Sequence, residues 1–274
     1  MKFQALQAFF VINPLSHQEI PISLDSSTLL KGLMTTPYLL MLYLFNQLSF
    51  PIRDKKRSQC YRIPRMSAIN RIAYYQNRRD EVPNQELAHT LAETEDKAGI
   101  QEIADNLWNK NKSVRSDCLK VLYEIGYIRP DLIAVYVNDF LELLKDKENR
   151  MVWGAMIGLT TIADLRPHEI WKHIDDVIKS VDKGTLITVV WGVKTLAHIA
   201  KVNKTYHSKL FPILLTQLQT CIPRDVPLHA ESIIVAVDKA DTASFLTVLE
   251  KRKPELTGSQ LTRLNKVIRK VHIL

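Results

Sequence analysis

Residues 129–164 read RPDLIAVYVNDFLELLKDKENRMVWGAMIGLTTIAD, and residues 166–201 read RPHEIWKHIDDVIKSVDKGTLITVVWGVKTLAHIAK. The second stretch rewrites the first. Arg129-Pro130-Asp131-Leu132-Ile133 returns as Arg166-Pro167-His168-Glu169-Ile170, 37 residues on. Trp153-Gly154 returns as Trp191-Gly192 after 38 residues, and Leu159, Ile162 and Ala163 return as Leu196, Ile199 and Ala200 after 37. A self-similarity of this period belongs to solenoids built from helical hairpins.

Each unit reads as two amphipathic helices. Ile133, Val137, Phe140, Leu141 and Leu144 fall on one face of a 3.6-residue period, and Val152, Met156, Leu159 and Ala163 do the same in the second helix. Pro130 and Pro167 suit a first helical turn, where no intrahelical donor is lost. Gly126 is expected to stop a helix, and Thr257 with Gln260 is expected to form a capping box. Working outward, the pattern pairs helices near 97–110 with 113–126, 131–145 with 149–164, 167–181 with 184–201, 205–220 with 225–240, and 242–252 with 257–272. A helix near 84–94 caps the start. No pair can bury its apolar face alone, so stacking must supply the core.

These segments resemble HEAT repeats, which have an apolar first helix, an acidic turn, then Val-Arg and a small residue in the second helix. Asn109 with Val114-Arg115 fits best. Asp146 and Asp182 occupy the acidic turn of later units, but Val152 and Thr188 stand where the arginine would follow, so the charge ladder is incomplete. The resemblance covers about Pro83 to Leu274 and implies an all-α fold, a right-handed α-α superhelix of the HEAT or armadillo type. The whole chain is also similar to uncharacterised bacterial HEAT-like proteins, a resemblance that brings no activity with it. The expected organisation is an irregular N-terminal extension, residues 1–80, followed by a helical repeat domain, residues 81–274.

Composition agrees with a soluble helical protein: 46% hydrophobic, 24% charged, and with 8 glycines too few for the turns of a β-sandwich or barrel. The net charge of +8 sits at two places. Residues 53–79 carry nine basic side chains against Asp54, and residues 251–274 carry seven against Glu255, which leaves the stretch between them mildly acidic. A high pI of this origin is a weak argument for nucleic acid. Cys60, Cys118 and Cys221 are widely spaced and odd in number, so neither a disulfide framework nor a zinc pattern arises, and reduced thiols in the cytoplasm are expected. Phe3–Ile12 lacks a signal-peptide cleavage site. Tyr38–Phe45, bounded by Pro37 and Pro51, is too short to span a bilayer and reads as a short buried or interfacial helix. Met66 opens the stretch that runs into the repeats and is an alternative start for the functional chain.

Catalytic patterns are sparse. His229-Ala230-Glu231 imitates half of a zinc deaminase signature, but no Pro-Cys-x-x-Cys follows. His168 and His173 are five apart and diverge on a helix, and there is no His-Glu-x-x-His, no phosphate loop and no nucleophile elbow. No cofactor or metal is expected.

The tryptophans carry the functional reading. Trp153 and Trp191 hold nearly equivalent places on successive second helices, which line the concave face of a solenoid; Trp108 and Trp171 lie on first helices. Beside Arg115 and Arg150, Trp153 and Trp191 read either as an aromatic and cationic platform for a ligand or as wedges between repeats, a Trp-Gly pair letting a ring lie beside bare backbone. The sequence therefore points to a cytoplasmic, non-enzymatic scaffold that binds a protein partner through Arg115, Arg150, Trp153 and Trp191, with Lys145 and Lys147 at the rim. The alternative is DNA binding, or base excision of the kind performed by the HEAT-like alkylpurine DNA glycosylases. It is disfavoured because no acidic residue pairs convincingly with the tryptophans and the repeats are net acidic.

Overall fold

The structure, a computed structural model, describes residues 67–273. The N-terminal expectations up to residue 66, including the helix at Tyr38–Phe45, lie outside the described residues. Every element found is helical, and no strand occurs among the described residues. A 3-10 turn, Ala68–Arg71, precedes α1 (Val82–Glu93) and α2 (Lys97–Asp105). There follow α3 (Lys112–Ile128), α4 (Pro130–Ile133), α5 (Val137–Leu143), α6 (Asn149–Ile162), α7 (Pro167–Lys172), α8 (Ile174–Lys183) and α9 (Leu186–Ala200). The chain closes with α10 (Lys204–Thr220), α11 (Val226–Ile233), α12 (Thr242–Arg252) and α13 (Gly258–Val271).

These helices form an α-solenoid. The second helices of the hairpins stack in one row, α1 on α3, α3 on α6, α6 on α9, α9 on α11 and α11 on α13. The first helices lie behind them. The core runs the length of the row through side chains with 0% exposure, among them Leu122, Phe140, Leu159, Val177, Leu214 and Leu264. Each such residue contributes about 1.5–3 kcal/mol by leaving water. The core reaches forward of α1: Ala68 and Ile72 are buried, the Ala68 N–H donates to Glu102 at 2.8 Å, and the Ala73 N–H donates to the buried Asn84 at 2.9 Å.

Local chemistry sets the boundaries. Asp96, Asn111 and Asn203 cap α2, α3 and α10 by accepting from backbone N–H groups. Pro130 and Pro167 begin α4 and α7 as expected. Two expectations fail. Thr257 precedes α13, but its side chain makes no capping bond. Gly126 does not stop α3; it lies inside the helix, where a Cβ would strike Thr161 and sit 2.8 Å from Ile133. Its purpose is close approach between helices. The first helices of two units are also broken, at Ala134–Tyr136 and at His173, whereas α3, α6 and α9 run uninterrupted.

Candidate interaction face

Trp153 and Trp191 are half-buried and packed against the core. Their neighbours are two tyrosines of α3. The rings of Trp153 and Tyr123 lie 6.3 Å apart, those of Tyr123 and Tyr127 6.1 Å, and those of Tyr127 and Trp191 6.0 Å. The four rings thus form one chain across three second helices, at separations and tilts favourable for aromatic pairs. Trp-Gly supplies the room. A Cβ on Gly154 would lie 2.6 Å from Leu119, and one on Gly192 would strike Val181.

Cations accompany the rings. Lys120 stands 5.0 Å from the Tyr123 centroid, Arg150 5.9 Å from Trp153 and Lys194 5.1 Å from Trp191. In each helix the cation is three residues from its ring, the spacing that puts two side chains on one face. Lys120 is buried, and burial alone would weaken its hold on a proton. Ion pairs with Glu124 at 2.6 Å and Glu81 at 2.8 Å outweigh that, and its pKa rises above the ordinary range. Arg150 approaches the same Glu81 at 3.7 Å. Burial pushes the Tyr127 hydroxyl up to about 12, helped by Tyr123 and Glu124, so it stays neutral.

The residues singled out in the sequence divide into two places. Arg150, Trp153 and Trp191 share the ring face. Arg115, Lys145 and Lys147 belong to the turn end of the hairpins. Arg115 is fully engaged: its Nε donates to the Leu107 carbonyl at 2.8 Å, and its guanidinium pairs with Asp146. Lys145 pairs with Asp176 at 3.4 Å, and Lys147 is exposed beside it. The other tryptophans lie elsewhere, Trp171 stacked on Tyr206 with centroids 4.0 Å apart and Trp108 half exposed. Sequence reading missed Tyr123, Tyr127, Lys120 and Lys194. The repeated ring-and-cation spacing was the available signal.

A cleft of about 650 Å3 opens beside this face, between the segment Ala73–Glu81 and the starts of α3 and α6. Its charges are mostly paired, Arg78 with Asp80 at 2.8 Å and Lys112 with Glu148 at 2.5 Å. One imidazole and two carboxylates, His207, Asp238 and Asp241, come within 4.8 Å of one another. That donor set suits a divalent cation, but His207 already lies 2.9 Å from Asp241 and 3.0 Å from the Ala236 carbonyl, bonds that account for the grouping. The half-signature His229-Ala230-Glu231 is dispersed: His229 is buried, and Glu231 accepts from Arg263 on α13.

No protein-family model matches the chain, and no curated protein matches it either. Solved structures do. A designed armadillo repeat protein in complex with the peptide (KR)4 is similar over 68% of this chain and 86% of its own, with a TM-score of 0.54 and 15% identity. Computationally designed armadillo repeat proteins for modular peptide recognition are similar over 74% of this chain and 98% of theirs, with a TM-score of 0.52 and 14% identity. At such identity the likeness concerns the fold, an armadillo-like stack of helical repeats. Among the described residues no helix is long and apolar enough to cross a membrane.

Proposed function

We propose that this protein is a cytoplasmic, non-enzymatic scaffold that holds a segment of a protein partner on the exposed side of its second-helix row, the concave side of the solenoid. The observation that carries this reading is the chain of four rings, Trp153–Tyr123–Tyr127–Trp191, flanked by Arg150 and Lys194. The few residues that dominate binding energy at protein interfaces are enriched in Trp, Tyr and Arg. Designed armadillo proteins of similar fold bind peptides, which supports the same use of this row. In this reading Arg150, Trp153 and Trp191 touch the partner, Lys145 and Lys147 flank it, and Arg115 holds the hairpins that present it. DNA binding draws less support. Glu124, set between Tyr123 and Tyr127 in α3, and Glu81 put carboxylates where phosphates would run, and Lys120 is spent on neutralising them.

The test is selection of a random-peptide library on the full chain. Selected peptides should lose binding to Trp153→Ala and Trp191→Ala proteins whose circular dichroism and unfolding remain cooperative. Peptides that bind both variants as well as the parent place the interaction elsewhere and sink the reading.

A further inference from the structure

Beyond the ring chain, the face is carried by α6, α9, α11 and α13, which stack in that order. These four helices contain Arg150, Lys194, Arg263, Lys266, Arg269 and Lys270 but one carboxylate, Glu231. Arg263 bonds Glu231 at 2.9 and 2.6 Å. That bond first, then the charges of Arg263, Lys270 and Lys266, holds the Glu231 carboxyl below its usual range, so the basic side of α13 is turned toward α11. Residues 263, 266 and 270 share one helix face. The carboxylates flanking α6 are engaged: Glu148 pairs with Lys112 at 2.5 Å, and Asp164 pairs with Lys201 at 2.8 Å and hydrogen-bonds His198 at 2.9 Å. Lys194, Lys266 and Lys270 have no ion-pair partner among the described residues. Apolar surface is exposed in the same stretch of chain: Ile187 of α9 and Val235, just past α11, are 43% and 44% exposed.

Given the scaffold role proposed for this face, we infer that the segment it holds is acidic: an extended run in which apolar side chains meet Trp153 and Trp191 while carboxylates meet Lys194 and the Arg263–Lys266–Lys270 edge of α13. Charge complementarity of this kind selects partners by penalising like charge as well as by attraction. The opposite end of the row is close to balanced: Glu86 and Glu93 on α1 and Asp117 and Glu124 on α3 stand against Lys112, Arg115 and Lys120, and those three cations are already paired with carboxylates. The free cations that an acidic segment would meet are therefore at the α6–α13 end. Helix axes about 10 Å apart make that end span about 30 Å, which roughly ten extended residues cover. A DNA duplex fits less well. Its phosphates are continuous, and along the row they would also meet Glu86 and Glu93 of α1, a helix with no lysine or arginine.

The experiment uses the full chain and fluorescein-labelled peptides of about twelve residues alternating leucine with glutamate, lysine or serine, read by anisotropy. The glutamate peptide should bind at least about tenfold tighter than the lysine peptide and weaken as salt rises. Combined Lys194→Glu, Lys266→Glu and Lys270→Glu should reverse the order, and Trp191→Ala should abolish binding. If the serine or lysine peptide binds as tightly and is still lost in Trp191→Ala, the acidic assignment is wrong and the scaffold stands. If no peptide binds at low salt, both readings fall. If a short DNA duplex displaces the glutamate peptide and binds far more tightly, the face is a nucleic-acid surface and the acidic assignment is again wrong.

Discussion

Arg115, in the first turn of α3, closes on Asp146, in the turn that leads into α6, so a guanidinium of one hairpin is held by a carboxylate of the next. Both side chains are largely covered, at 16% and 15% exposure. Asp146 is fixed from its own side as well, accepting the Glu148 N–H at 2.8 Å. Burial alone would raise the Asp146 pKa. The Glu148 N–H and Arg115 bonds outweigh it and hold the pKa below its ordinary 3.8.

A group whose folded pKa is depressed stabilises the protein above its unfolded pKa and ceases to do so as pH falls through the folded value. Stability should therefore drop on acidification below about pH 4. Arg115→Ala should cost about 2 kcal/mol at neutral pH and make the acid limb shallower. Urea unfolding of both proteins at several pH values checks this, and an unchanged acid limb in the variant would show that the pair is not coupled to folding.

Arg252 secures another joint. Its buried guanidinium donates to the carbonyls of Leu218 at 2.9 Å, Gln219 at 2.6 Å and Cys221 at 2.7 Å, closing the C-terminal end of α10. It also bonds Glu255 at 2.9 Å. Arg252→Ala should cost about 3 kcal/mol or more, because the carbonyls lose donors where water does not reach. Arg252→Lys should recover little of it, since an ammonium lacks the planar fork. Hydrogen exchange localised to the last turn of α10 is the direct readout.

Gly192→Ala places a methyl group against Val181, a β-branched side chain with little freedom to turn aside. The expected loss is about 1–3 kcal/mol, seen as a lower midpoint in thermal unfolding. An alanine tolerated there without loss would show that α8 and α9 can separate freely.

The tryptophans of the face should behave unlike the core. Phe140→Ala removes a side chain with 0% exposure and should cost about 3–5 kcal/mol. Trp153→Ala and Trp191→Ala should each cost no more than about 2 kcal/mol, because part of each ring already faces solvent. Denaturant midpoints of the three variants, compared side by side, separate a binding surface from a wedge between repeats.

The thiols offer a fifth readout. Burial first, then the nearby charges of Asp117 and Glu102, push the Cys118 thiol up to about 12. Cys118 should resist alkylation at pH 8 and react only when α3 opens, whereas the half-buried Cys221 should react sooner. Peptide mapping after timed exposure to iodoacetamide distinguishes them.

The helix pairs were legible in the sequence because burial of one face imposes its period, and Pro130 and Pro167 mark two starts unambiguously. The break between Ile133 and Val137 was not, since those two residues remain four apart on the apolar face whether or not a 3-10 turn lies between them. Gly126 was misread for a related reason. Close approach to Thr161 and termination of a helix ask for the same residue. The ring chain was half legible. Trp153 and Trp191 stood out by repetition, but the meeting of Tyr127 with Trp191 depends on how α3, α6 and α9 are rotated against one another, which no periodicity encodes. Arg115 illustrates a third case: the Val-Arg pattern that marked it as part of a ladder between repeats is satisfied by Asp146, which leaves little of it for a partner.

The breaks in the first-helix row have a mechanical consequence. At Ala134–Tyr136 and at His173 that row is jointed, and 3-10 turns have weaker hydrogen-bond geometry than the α-helical segments beside them. Across from these joints, α3, α6 and α9 are continuous rods. Under bending or tension, strain should collect at the joints, on the side away from the rings. The back of the molecule can then flex like the spine of a book while the spacing from Tyr123 to Trp191 stays calibrated, so that the face measures the same length of chain each time.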